Sequence, residues 1–153
     1  MSDGSITIEV RADDIKTKLQ NKLETLINDP KISYEITKII GKNVEKYVPY
    51  REGTLRNSAE IRQNTITWNT PYAHYQFMGD VYGPNFPVYI GGEWQWRSPR
   101  GEGTKYPTGR RLTYHTAGTT SDWVTTAWLN DKQRINLQIT AYLKREARRR
   151  NLL

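Results

Sequence analysis

Cysteine is absent from this 153-residue chain, which excludes disulfides and thiolate-held metals. That absence allows a reducing compartment without requiring one. Histidine is almost as scarce, with only His74 and His115 to titrate near neutral pH. Neither has a second histidine or a carboxylate at a ligand spacing such as i, i+4, so no metal centre or acid–base pair can be read. No apolar run approaches the roughly 20 residues of a membrane helix. Residues 1–5 are polar and lack the apolar core of a signal segment. The expectation is a soluble, cytosol-made protein that needs no cofactor, binds no membrane and is not an enzyme.

Phenylalanine is also rare, two residues against ten Tyr and five Trp. Tyr and Trp join a large apolar body to a polar handle, which suits half-buried surfaces and interfaces more than a dry interior. Apolar residues make up 36% of the chain, enough for one modest core, and the length fits a single domain over 1–153. The net charge of +7 is concentrated late. Residues 110–153 hold nine Lys/Arg against three Asp/Glu, while residues 1–109 hold 14 against 13. A basic end of this kind meets nucleic acid, an acidic protein surface, or only solvent.

Ile6, Ile8 and Val10 alternate with polar residues, the period of a half-buried strand. Asp13 or Asp14 then caps a helix with the stripe Ile15, Leu19, Leu23 and Leu26/Ile27. Asp29 caps the next, with Pro30 in its first turn and the stripe Ile32, Ile36, Ile39/Ile40, Val44 and Tyr47/Val48. Pro49 ends it. Residues 58–69 read as a hairpin through Ile61 and Ile66-Thr67-Trp68, and residues 72–78 as a short helix closed by Gly79. Residues 80–109, rich in glycine and proline, read as an extended arm. Within it Val88-Tyr89-Ile90, Gly91-Gly92 and residues 93–96 form a hairpin, and residues 98–109 a loop. Residues 111–116 suggest a further strand. Thr120-Ser121-Asp122 caps a short helix bearing Trp123, and Asn130 or Asp131 starts a separate basic helix over 131–153. The stretch Gly101-Glu102-Gly103-Thr104-Lys105 lacks the spacing of a phosphate-binding loop. The sum is an α+β domain, a small antiparallel sheet with helices on one face and a long hairpin arm.

Two segments carry more information than the rest. In the first, Pro49 halts a helix, Gly53 permits a turn of positive φ, and Thr54 caps a short turn that points Leu55 inward before Ser58. In the second, the Trp68 strand is redirected by Pro71, and Ala73 permits close packing beside Tyr72 and Tyr75 before Gly79. Their order and spacing, with Trp123 and Ala127 further on, resemble the minor capsid and tail-completion (head–tail joining) proteins of tailed bacteriophages over roughly residues 30–147. Two features depart from that pattern: Arg51-Glu52 ahead of Gly53, and the longer, more aromatic arm.

The resemblance implies a structural subunit of the virion neck, made in the host cytoplasm. It would form a sixfold ring with copies of itself between portal, connector or stopper and the tail terminator or tail tube. DNA would pass through its channel. Eight of the seventeen aromatic residues fall between Tyr72 and Trp96. Tyr82, Phe86, Tyr89, Trp94 and Trp96 are therefore the interface candidates, and Lys144, Arg145, Arg148, Arg149 and Arg150 the contacts to DNA or an acidic partner. The competing readings are a tail terminator ring, a basic nucleic-acid-binding module, and a small virion-associated hydrolase.

Overall fold

A computed structural model describes residues 4–11, 25–83, 86–97 and 106–153. The expected helix from Asp13 lies mostly outside these residues, with 25–27 its described helical end. Strand β1 (Ile6–Glu9) forms where the alternation begins, and its Ile6 and Ile8 face inward. Helix α1 (Pro30–Val44) starts as its residues dictate: Asp29 accepts a hydrogen bond from the Lys31 N–H, and Pro30 occupies the first turn. A 3₁₀ turn, Glu45–Tyr47, tightens its end, and Val48 is extended ahead of Pro49.

Gly53 then takes φ +84° and itself caps the short helix α2 (Thr54–Asn57). Thr54 is thus the first helical residue and not the cap, because the left-handed glycine already turns the chain. Leu55 is buried as expected. Strands β2 (Ala59–Ile61) and β3 (Thr65–Trp68) form the hairpin, and β3 lies between β1 and β2 in an antiparallel sheet. Ile6 and Ala59 flank Trp68 in register, and Ile8 and Ile61 flank Ile66. The apolar side chains therefore share one face, while Thr7 and Thr67 pair hydroxyls at 2.7 Å on the other.

Helix α3 (Ala73–Met78) follows and ends at Gly79, φ +77°. The arm then leaves along β4 (Asp80–Gly83), turns through β5 (Phe86–Ile90) and β6 (Glu93–Arg97), and returns along β7 (Tyr106–Arg111). β4 pairs with β7 and β5 with β6, each as a two-stranded antiparallel ladder. Two expectations are corrected. Part of the 98–109 loop is strand β7, and residues 112–116 are not a strand. β7 carries Pro107 and Gly109 and exposes most of its side chains, so its strand character comes from pairing with β4 and not from an apolar pattern.

Helix α4 runs unbroken over Trp123–Arg149, 27 residues capped by the Asp122 carboxylate at the Thr125 N–H. No second helix begins at Asn130 or Asp131. The Asp131 carboxylate serves a tertiary contact instead of a cap. It accepts from the Tyr47 hydroxyl and Lys46 Nζ, each at 2.8 Å, and from Arg134 at 2.9 Å. α4 ends in a paired-turn cap: Leu152 N–H donates to the Ala147 carbonyl and Asn151 N–H to that of Arg148, with Asn151 at φ 56°.

Two apolar clusters result, both built on α1 and α4. One holds Leu26, Ile32, Ile36, Ile135, Ile139, Leu143 and Ala147. The other holds Val44, Tyr47, Val48, Leu55, Ile66, Trp68, Ala73, Trp123 and Ala127. Full burial of each large aliphatic side chain contributes about 1.5–3 kcal/mol.

Candidate functional site

The residues of the two informative segments meet in space. Trp68, Ala73 and Trp123 are buried together, and Phe77 closes on Trp123 with ring centroids 4.9 Å apart and planes at 90°. Gly79 is required twice, by its positive φ and by its neighbours. A Cβ there would stand 2.8 Å from both Ser121 Cβ and Arg111 Nη2. The Gly79 carbonyl accepts from Leu112 N–H, and the Asp122 N–H donates to the Phe77 carbonyl. The end of α3, the base of the arm and the start of α4 are thereby fastened at one point.

On the first segment, the Ser58 hydroxyl donates to the Leu55 carbonyl at 2.7 Å, and Arg56 Nε donates to the Val48 carbonyl at 2.9 Å. The same guanidinium lies 4.9 Å from the centre of the Tyr50 ring. Residues 112–119 fold back over both segments. Thr116 donates to the Tyr50 carbonyl, and Tyr114 to that of Gln76 at 2.6 Å. Burial raises the Tyr114 phenol above its ordinary value. Between these walls lies an open cleft of about 790 Å³, lined by Tyr50, Arg51, Glu52, Tyr72 and His115 among others. Pro49, Thr54 and Leu55 of the family motif also line it, so the residues that carried the resemblance frame a surface feature as well as the core. His74 packs against Tyr75, 5.8 Å between centroids. Among the described residues no group of three or more His, Asp or Glu could hold a metal ion.

The arm candidates separate into three kinds. Tyr82 leans on Tyr75 at 4.7 Å between centroids, so it anchors the arm's base. Tyr89 and Trp94 form a T-shaped pair at 5.3 Å beside the Gly91-Gly92 turn, and they are 61% and 72% exposed. Phe86 and Trp96 lie on β5 and β6, paired through the backbone with Arg97 and Pro87, and their side chains lie outside the described set.

The basic candidates divide as well. Arg150 reaches across to the start of α1 and binds the Asp29 carboxylate at 2.9 Å, while Arg149 binds Glu146 at 2.7 Å. Glu146 is therefore not the sole counter-charge, because Asp29 is added from a distant part of the chain. The hydrogen bond from Arg150, and then the Lys31 N–H, hold the Asp29 carboxyl below its ordinary value. Arg145 sits over the Tyr142 ring at 5.6 Å. Lys144 and Arg148 are exposed and make no ion pair among the described residues. Sequence reasoning missed the exposed leucines of α4: Leu129 and Leu137 are 77% and 71% exposed. Their mismatch with the buried stripe Ile135, Ile139 and Leu143 was the available signal.

Residues 6–136 match the family model described as minor capsid protein. That span includes both segments, the whole arm and the first half of α4. No curated protein and no solved structure matches the chain.

Proposed function

Because this chain belongs to the minor capsid protein family, a structural component of the phage particle, we propose that it is a ring-forming subunit of the neck. It joins the portal or connector to the tail and completes the tail's attachment. It works by shape and contact, without catalysis. A closed ring needs a head-to-tail interface in which each subunit offers two different patches. The arm carries this reading. A two-stranded stem bears a hairpin on which Tyr89, Ile90 and Trp94 stand 61%, 43% and 72% exposed, with Tyr89 and Trp94 covering each other in part. The Tyr50/Tyr72 cleft supplies a second and different surface.

Removing the gene from an otherwise intact phage is expected to leave DNA-filled heads and complete tails that stay separate. Restoring the protein should rejoin them, and electron microscopy should place it as a ring between the two. Particles joined normally in its absence would refute the neck assignment. Joined particles with tails of irregular length would instead favour a ring that caps the tail tube.

A further inference from the structure

On α4 the apolar residues are buried or half-buried except along one row. Residues 129, 133, 137, 141 and 145, each four apart, form a single ridge of the helix. They read Leu, Gln, Leu, Ala and Arg, and all five are exposed. Exposed leucines scattered singly need no explanation. Here two of them, with an alanine, share one ridge, and the charges around them have one sign. Both acids of α4 are turned to internal duties, Asp131 on Lys46, Tyr47 and Arg134, and Glu146 on Arg149 and Arg150. What the helix shows outward beside the leucines is Lys132, Lys144, Arg145 and Arg148, and none of these has an ion pair among the described residues.

We propose that this outer face of α4 is a docking surface for an acidic amphipathic helix of another protein of the particle. Charge selects the occupant. A second copy of the same face would set cations against cations. A nucleic acid would satisfy the cations but leave the leucines in water, since phosphate contacts are electrostatic. A helix with leucine-like residues on one ridge and carboxylates beside it satisfies both parts, in the helix-on-helix mode of peptide recognition. The inference rests on the reading of this chain as a subunit with protein neighbours, but not on its place in the neck.

The test uses the full-length protein and two probes: a synthetic helical peptide with leucines at i, i+4 flanked by glutamates, and duplex DNA. The peptide is expected to bind, and to bind at least about tenfold more weakly to Leu129→Ser/Leu137→Ser, the loss that goes with forfeiting one buried leucine. Lys144→Gln/Arg148→Gln should weaken it too, in a salt-dependent manner. All four positions are exposed, so circular dichroism should be unchanged. Three results would overturn the proposal: no peptide binding, peptide binding indifferent to the leucines, or tighter binding of DNA than of peptide. None of these bears on where the protein sits in the particle, which microscopy reads separately.

Discussion

Trp68 and Trp123 meet edge to face, their ring centroids 5.5 Å apart and their planes at 74°. One closes strand β3 and the other opens helix α4, so the contact fastens the sheet to the longest helix. Both are buried, at 2% and 0% exposure. Trp68→Ala should lower stability by about 3–5 kcal/mol, and Leu55→Ala by about 2–5 kcal/mol. Denaturant midpoints check this. Parent-like values for both variants would remove these residues from the core.

Gly79 should tolerate substitution less well than Gly53. Both have positive φ, which costs a residue with a Cβ about 1–2 kcal/mol. At Gly53 the added Cβ would meet Asn57 Nδ2 and Tyr50 Cε2 at 3.2 Å, whereas at Gly79 it would meet Ser121 Cβ at 2.8 Å. Thermal melts of the two alanine variants should therefore rank Gly79→Ala below Gly53→Ala. The reverse order would show that the junction at Ser121 yields easily.

Acid should expose the Asp131 contact. The hydrogen bond from Lys46, then that from Tyr47, hold its carboxyl below the ordinary value of 3.8. A lowered carboxyl contributes stability above its unfolded value and loses it as pH falls through the folded one. Asp131→Asn should accordingly show a smaller drop in Tm between about pH 5 and pH 2 than the parent. Its partner Lys46 is raised, chiefly by the same hydrogen bond, so its share fades only when alkali passes its ordinary value of 10.5. Identical acid profiles for parent and variant would contradict this.

Arg150 and Arg148 should behave differently. Arg150→Gln removes the link to Asp29 at the first turn of α1, so amide exchange at Lys31 and Ile32 should quicken. The Arg148 side chain is exposed and makes no ion pair among the described residues, so Arg148→Gln should leave those amides unchanged. Replacing Arg148, Arg149 and Arg150 together should keep the domain folded but yield heads and tails that fail to join, read by counting joined particles. Equal exchange in the two single variants would mean that the Asp29 contact does not order the helix.

The arm should be silent for folding and loud for assembly. Trp94→Ala should leave Tm unchanged, because the ring is mostly in solvent. Amides of β5 and β6 should exchange faster in the isolated subunit than in the assembled particle. Equal protection in both would make the hairpin a finished part of its own domain.

Much of the core was legible because its cues are local. The Asp29-Pro30 start, the stripe to Val44, the Gly53 turn and the alternation around Trp68 each follow from neighbours in the chain. Two of the misreadings share a cause, which is chemistry decided by distant partners. Asn130-Asp131 has the composition of a helix start, yet Asp131 is engaged by Tyr47 and Lys46, and the helix passes through. β7 lacks an apolar pattern because its partner β4 supplies its order. The exposed Leu129 and Leu137 lie off the stripe Ile135, Ile139 and Leu143, a local signal, but they share one ridge only because the helix runs unbroken through Asn130 and Asp131.

At about 1.5 Å per residue, α4 is a rod about 40 Å long. Its first turn is bolted to the foot of the arm, through the Asp122–Phe77 hydrogen bond and the contact of Ser121 with Gly79. Its other end carries the basic residues. A tilt of about 5° pivoting on that bolt swings the far end of such a rod by about 3–4 Å, and the pivot is the residue from which the arm departs. The buried stripe Ile135, Ile139, Leu143 and Ala147 and the Arg150–Asp29 link hold the rest of the rod against α1, so the helix pair resists that swing and gives the arm a fixed base.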